Sequence, residues 1–141
     1  MATTVVEVER AAPPADIPSV LTRAIRGAMA THPTITDVVV ASTEGLVIAY
    51  HSRRGQAGLA LSALAPLIND AGQTVFRELT MNGLGEVFLV GSEGVVYLVR
   101  CSMGKCFVMV AARGMQNLGM LRLAANEIET ETSQALLRYA D

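Results

Sequence analysis

The 141-residue chain has no tryptophan, three phenylalanines, three tyrosines and a single lysine, Lys105. Its ten arginines lie singly along the sequence, apart from the neighbours Arg53 and Arg54. A nucleic-acid surface needs clustered basic residues with aromatic residues between them. We therefore expect no nucleic-acid partner for a chain whose net charge is −2.

Long apolar runs are also missing. No stretch reaches the roughly 18 uncharged apolar residues that a membrane-spanning helix requires. The N-terminal stretch MATTVVEVERAAPPAD lacks the apolar core of a signal peptide. These absences predict no membrane span and a cytoplasmic location.

Catalytic motifs are absent as well. The sequence contains no Gly-x-x-x-x-Gly-Lys-Ser/Thr phosphate loop, no Gly-x-Gly-x-x-Gly and no Gly-x-Ser-x-Gly. The two histidines, His32 and His51, do not have metal-ligand spacing. We predict no catalytic residue, no cofactor and no metal, and therefore a protein that is not an enzyme.

The chain has only two cysteines, Cys101 and Cys106, and the turn Ser-Met-Gly-Lys separates them. They should face each other across a hairpin, either as a redox-sensitive disulfide or as two reduced thiols. A cytoplasmic location favours reduced thiols.

Apolar residues repeat at every third or fourth position in three segments, which predicts three amphipathic helices. The first begins at Asp16, a good N-cap, and ends near Pro33. The preceding residues 1–15 include a proline pair and have little to bury, which predicts a flexible arm. Residues 16–141 form one domain by length.

The second predicted helix runs from Leu59 to Leu79. It contains Pro66, which removes a backbone donor, so we expect a kink or a true start there. The third begins at Asn117, a plausible N-cap, and runs to Tyr139.

Five apolar, β-branched runs predict strands. The first two are ITDVVVAS and GLVIAYHS, which share the turn STEG. The others run from Glu86 to Val90, from Val95 to Cys101 and from Cys106 to Ala111. Their four-residue links predict an antiparallel meander. The stretch CFVMVA is the most continuously apolar and should lie centrally, which leaves Glu86–Val90 as an outer edge.

The predicted order is α-β-β-α-β-β-β-α. Strands that are apolar at consecutive positions need cover on both faces. We therefore predict an α+β three-layer sandwich, with a five-stranded antiparallel sheet, one helix on one face and two on the other.

The predicted edge strand, EVFLV, carries one glutamate and no other feature that would discourage pairing. A second copy could pair with it about a two-fold axis and form a ten-stranded sheet. Alternatively, the strand pairs within the chain, or the N-terminal TTVVEVE covers it. The apolar set of the second helix would serve partly as core and partly as dimer seam. The predicted interface comprises Glu86, Val87, Phe88, Leu89 and Val90 on the strand and Leu64, Leu67, Ile68, Ala71 and Val75 on the helix.

Polar residues beside this seam are candidates for contact with a third protein. On the helix they are Asn69, Gln73, Arg77 and Glu78. In the preceding loop, Arg53 and Arg54 are either a solvated tip or a source of positive charge for a bound phosphate.

Three stretches resemble the Roadblock family: VVVASTEGLVIAY (Val38 to Tyr50), GEVFLVGSEGVVYLVR (Gly85 to Arg100) and FVMVAARGMQNLGMLRL (Phe107 to Leu123). This family includes a dynein light chain and bacterial partners of small Ras-like GTPases. The resemblance covers about Ile17 to Leu137. It implies a dimer built through the third strand and the second helix, and a scaffold or GTPase-regulating function. The turn Glu44-Gly45 and the helix interruption at Pro66 depart from the family pattern.

The sequence thus favours a non-enzymatic homodimeric regulator or scaffold that binds a small Ras-like GTPase and modulates its nucleotide cycle. Two alternatives remain open. One is a structural adaptor subunit of a larger assembly without GTPase contact, and the other is a small-ligand sensor with a pocket between sheet and helix.

Overall fold

A computed structural model describes residues 13–55, 58–101, 104–114 and 117–139. These residues form three helices and five strands in the predicted order. The helices are α1 (Pro13–Thr31), α2 (Gly58–Glu78) and α3 (Leu118–Tyr139). The strands are β1 (Ile35–Ser42), β2 (Val47–Ser52), β3 (Glu86–Val90), β4 (Gly94–Arg100) and β5 (Cys106–Arg113).

The five strands form one antiparallel sheet in the order β2-β1-β5-β4-β3. Strand β5 lies in the centre, as its continuous apolar run predicts, and its first five residues are all buried. Strand β3 lies at one edge, which confirms that prediction too. The opposite edge is β2, which pairs with β1 through a register shift between Val40 and Ala41.

The sheet separates two apolar cores. On one face, Leu21 of α1 and Leu121 of α3 pack with Val38 and Val40 of β1. On the other face, Ala65 of α2 packs with a second buried set: Val39, Ala41, Leu98, Phe107 and Met109. Alternate residues of β1 thus point to opposite cores, as the pleat of a strand requires. The predicted three-layer arrangement, with two helices on one face and one on the other, is confirmed.

The helix ends differ slightly from the predicted ones. Helix α1 begins at Pro13, three residues before Asp16, because proline lacks only a donor that the first turn of a helix does not use. Residues 13–15 of the predicted arm are therefore helical, and residues 1–12 lie outside the described residues. Helix α2 continues through Pro66, so a true start at that residue is wrong. At the start of α3, the Asn117 Oδ1 accepts a hydrogen bond from the Gly119 amide at 2.8 Å, which confirms the N-cap.

Cys101 and Cys106 form a disulfide, which corrects the expectation of reduced thiols. The Cys101 amide donates to the Cys106 carbonyl at 2.9 Å, so the two residues lie opposite each other at the end of the β4–β5 hairpin. Their Cα atoms are 5.5 Å apart, within the usual range for a disulfide. The prediction that the two residues face each other across the hairpin is confirmed, and this proximity is what allows the two sulfur atoms to bond.

Candidate interaction surface

Helix α2 turns small and polar residues toward the sheet. Ser62, Ala65 and Asn69 are only 1%, 1% and 7% exposed. At Gly72 a Cβ atom would lie 2.9 Å from Leu84 Cδ2, so the helix backbone approaches its neighbours closely there. Because these residues have little bulk, α2 sits close to the sheet with few of its large side chains beneath it.

The large apolar residues of α2 point elsewhere. Leu64, Leu67 and Val75 are 45%, 61% and 55% exposed, and Ala71 between them is also exposed. Their spacing of three and four residues places the four side chains on one face of the helix, here called the α2 stripe. Contiguous apolar surface of this kind on a soluble protein marks an interaction site.

Strand β3 adds an open edge. Among the described residues it pairs only with β4, so its outer backbone groups have no strand partner. Leu89 and Val90 are 47% and 70% exposed. Leu89 lies opposite Val96, which packs against the core under α2. Leu89 and the α2 stripe are therefore on the same face of the sheet.

The ten predicted interface residues divide into two groups. Ile68 and Val87 are partly buried against the core under α2, and Phe88 packs on the opposite core, where its ring lies 4.7 Å from that of Tyr97. Glu86 is partly buried. The exposed members are Leu64, Leu67, Ala71, Val75, Leu89 and Val90.

The predicted partner-binding residues of α2 also divide. Arg77 and Glu78 are exposed and Gln73 is partly buried. Asn69 was expected on the rim, which is wrong because the residue is buried. It follows Ala65 by four residues and therefore shares the sheet-facing side of the helix.

The arginine pair has two different environments. Arg53 donates from Nε to the Ile35 carbonyl at 2.7 Å and from Nη2 to the Met29 carbonyl at 2.6 Å. The second carbonyl belongs to the last turn of α1, so Arg53 caps that helix. Arg54 lies with its Nη2 3.5 Å from Asp37 Oδ1 and has a side chain that is 56% exposed. Both residues are exposed, but Arg53 is held by two short hydrogen bonds and Arg54 only by a weak one.

A polar cluster lies on the opposite face of β3. The Arg122 Nε donates to both carboxylate oxygens of Glu86, at 2.8 and 3.1 Å, and the guanidinium lies 5.3 Å from the Phe88 ring centroid. The hydrogen bond from Arg122 holds the pKa of Glu86 below its usual value. Burial, followed by a hydrogen bond with Glu86, raises the pKa of Tyr97 to about 12. The sequence carries no signal for this cluster, because α3 and β3 are far apart in the chain.

This cluster borders a cleft of about 600 Å³ between α3 and the β3–β4 hairpin. Its lining combines apolar residues such as Val99 and Leu123 with Tyr97, Arg122 and Asn126. In the described part of the chain no three His, Cys, Asp or Glu side chains converge as metal ligands. Likewise, no described helix has the length and apolarity to cross a membrane.

The family model of the Roadblock/LC7 domain matches residues 22–111, which is more than half of the chain. The chain belongs to the Roadblock/LC7 family. The matched range of this Roadblock/LC7 chain contains all of α2 and β3, so the α2 stripe and the β3 edge lie within the family's own domain. Helix α3, with Arg122, lies beyond the matched range.

Solved structures share the fold of this Roadblock/LC7 chain. The gliding protein MglB of Thermus thermophilus superposes with a TM-score of 0.72 at 11% identity, covering 84% of this chain and 90% of that one. Myxococcus xanthus MglB superposes with a TM-score of 0.66 at 17% identity, covering 84% of this chain and 93% of that one. A Roadblock/LC7 domain from Streptomyces avermitilis superposes with a TM-score of 0.65 at 17% identity, covering 84% of this chain and 96% of that one. Comparison with curated protein sequences finds no match.

Proposed function

We propose that this Roadblock/LC7 chain is a non-enzymatic homodimeric regulator or scaffold that binds a small Ras-like GTPase and modulates its nucleotide cycle. The observation that carries the proposal is the outward-facing α2 stripe on the same sheet face as Leu89, an exposed residue of the β3 edge. On this side of the subunit, the α2 stripe lacks apolar cover and, among the described residues, the outer edge of β3 lacks a strand partner.

A second copy of the chain meets both needs. Two β3 strands that run antiparallel about a two-fold axis extend the sheet to ten strands and bring the two α2 helices to the same face. Nothing on β3 opposes this pairing, because the strand has no proline, no lysine and no bulge. A stable interface buries about 800 Å² per partner, which needs both the strand and the exposed leucines of the helix.

The proposal of a GTPase partner is supported by the resemblance of the chain to bacterial Roadblock partners of Ras-like GTPases. Arg77, Glu78 and Arg54 remain exposed and supply polar contacts outside the apolar seam. A regulator can act by positioning the catalytic groups of the GTPase itself, so it needs no catalytic motif of its own. This accounts for a chain in which sequence reasoning identifies no catalytic residue.

A second candidate function rests on the cleft between α3 and the β3–β4 hairpin. Its volume of about 600 Å³ falls within the range of small-molecule sites, and Tyr97 and Arg122 place polar groups beside apolar walls. A small-ligand sensor would use this cleft, on the face of the sheet opposite the α2 stripe. Native mass spectrometry of the purified chain would detect a retained metabolite.

The deciding experiment is affinity capture from native lysate on the immobilised chain, with a non-hydrolysable GTP analogue in one arm and GDP in the other. We expect a Ras-sized protein, identified by mass spectrometry, to be retained only with the GTP analogue. Hydrolysis rates of that GTPase with and without the chain then separate an activator from an effector. Equal retention of a different protein in both arms would make the chain a structural adaptor and overturn the GTPase proposal.

A further inference from the structure

Asp37 is a charged residue within the sheet. It lies on β1, opposite Ser52 of β2 and Ala111 of β5, and is only 2% exposed. Ala111 in turn lies opposite Val96, and Val96 lies opposite Leu89, so one row of residues crosses the sheet from Asp37 to the β3 edge. Aspartate is almost never buried to this degree without a partner.

The hydrogen bonding of this carboxylate is incomplete. Oδ1 accepts from Thr36 Oγ1 at 2.7 Å and lies 3.5 Å from Arg54 Nη2, at the limit of a hydrogen bond. Oδ2 is buried and, among the described residues, has no hydrogen-bond partner. A buried carboxylate oxygen without a hydrogen-bond donor lowers the stability of a fold. Such an oxygen in a native fold therefore indicates a site for a bound ligand that supplies the donor.

A shallow, solvent-open cavity of about 200 Å³ adjoins the carboxylate. Asp37, Arg54, Glu93, Val96 and Arg113 contribute to its lining, and no residue of α2 does. Arg113 and Glu93 form an ion pair at 3.6 Å on its rim. Arg54, with more than half of its side chain exposed, lies where an incoming group would approach Asp37. The cavity therefore opens on the part of the sheet face that α2 leaves uncovered.

We propose that this cavity binds the ammonium group of a lysine side chain from the partner protein, with Asp37 Oδ2 as its acceptor. The proposal rests on the proposed function, because it names a contact that the bound GTPase would make. The lysine displaces the weakly held Arg54 side chain and provides the donor that Oδ2 lacks.

The number of free oxygens selects lysine over arginine. A guanidinium binds a carboxylate best through two parallel hydrogen bonds and needs both oxygens. Thr36 donates to Oδ1 at 2.7 Å and stays in place when Arg54 is displaced, so Oδ2 is the oxygen left without a donor. An ammonium is a compact charge that can place a single donor on that oxygen.

The test uses n-butylammonium chloride, the side-chain analogue of lysine, titrated into the isotope-labelled full chain and followed by amide NMR shifts. We expect saturable shifts at Thr36, Asp37 and Val96, and weaker binding of methylguanidinium. Asp37→Asn should abolish the shifts, while Asp70→Asn, an exposed carboxylate on α2, should leave them unchanged. Shifts that persist in Asp37→Asn, or their absence in the wild type, would overturn the proposal.

Arg54→Gln provides a second variant that does not touch the buried carboxylate. Because it removes the cation that competes for Asp37, it should tighten butylammonium binding several-fold, and unchanged affinity would contradict the site. The melting temperature of Asp37→Asn distinguishes a binding role from a structural one. A binding carboxylate leaves the melting temperature unchanged or raised, whereas a marked drop would show that Asp37 serves the fold.

Butylammonium binding tests the Asp37 site, whereas GTPase capture tests the proposed function. Butylammonium binds the isolated chain whether or not a GTPase exists, so its failure overturns the site and leaves the regulator proposal standing. Failure to capture a GTPase, with butylammonium still bound, overturns the partner and leaves the site. Where a GTPase is captured, Asp37→Asn should weaken its binding about tenfold without changing self-association.

Discussion

Replacing Leu67 by lysine should separate self-association from folding. Leu67 lies in the middle of the α2 stripe and is 61% exposed in the single subunit. Lysine has nearly the helix propensity of leucine, so α2 itself should be unaffected. The Leu67 side chain has few contacts within its own subunit, and its exposed surface is available for burial in a dimer interface.

The magnitude follows from the exposed fraction. Full burial of a leucine side chain is worth about 1.5–3 kcal/mol, so the part of Leu67 that is still exposed is worth about 1–2 kcal/mol in an interface. In a two-fold symmetric dimer each subunit contributes one Leu67, so the loss of association free energy is about 2–4 kcal/mol. The dissociation constant should rise by about 30- to 1,000-fold, and the desolvation of two ammonium groups adds to this effect.

Sedimentation equilibrium over a concentration series measures the dissociation constant, and urea denaturation measures the unfolding free energy of the subunit. We expect wild type to be a dimer, and Leu67→Lys to be a monomer at the same concentration. At concentrations where both are monomeric, their stability should agree within about 0.5 kcal/mol.

Leu59→Lys is the matched control. It makes the same substitution on the same helix at a residue that is 79% exposed but lies outside the α2 stripe. A dimer seam on the α2 stripe is refuted if both variants lower self-association equally, or if Leu67→Lys remains a dimer. A folded subunit that is already monomeric in the wild type would refute the homodimer itself.

The remaining predictions concern single interactions. Arg53→Ala removes the donors that cap α1 and should lower the unfolding free energy in urea by about 1–3 kcal/mol with GTPase capture unchanged, whereas lost capture at unchanged stability would place Arg53 on the partner. The mass of the unreduced chain should fall short of the reduced mass by two hydrogen atoms, and serine at both Cys101 and Cys106 should cost about 2 kcal/mol, whereas alkylation of both thiols without reductant would contradict the disulfide. Because Arg122 lowers the pKa of Glu86, the pair stabilises the fold above the ordinary carboxyl pKa and loses this effect as pH falls through the lowered value. Arg122→Gln should therefore destabilise the chain at neutral pH in urea melts, with a difference from wild type that shrinks in acid, while a pH-independent difference would assign the effect to packing on the ring.

Local patterns were enough to predict the elements, the antiparallel meander, the central position of β5 and the edge position of β3. The links from Val90 to Val95 and from Cys101 to Cys106 are too short for anything but antiparallel neighbours, so the meander followed directly. The continuous apolar run of β5 indicated cover on both faces and hence a central position. Because β3 begins the meander that ends at this central strand, the pattern places β3 at the edge.

The faces of α2 were harder to assign. The sequence shows large apolar residues at Leu64, Leu67 and Val75, and such residues usually point to the core. The buried residues are instead Ser62, Ala65 and Asn69. The same three- and four-residue spacing describes both faces, so periodicity alone does not decide which one meets the sheet.

The sequence by itself therefore determined the element order, the antiparallel meander, the central position of β5 and the edge position of β3, because the apolar runs and short links that indicate them are local in the chain. Only the tertiary structure decided which side of α2 faces outward, that Arg53 caps α1, and that Asp37 is buried with one oxygen lacking a donor. These features depend on contacts between segments far apart in sequence. The stability of these features depends on how closely a helix packs on the sheet and on which donors reach a buried atom. The spacing of residues along the chain does not determine either of these.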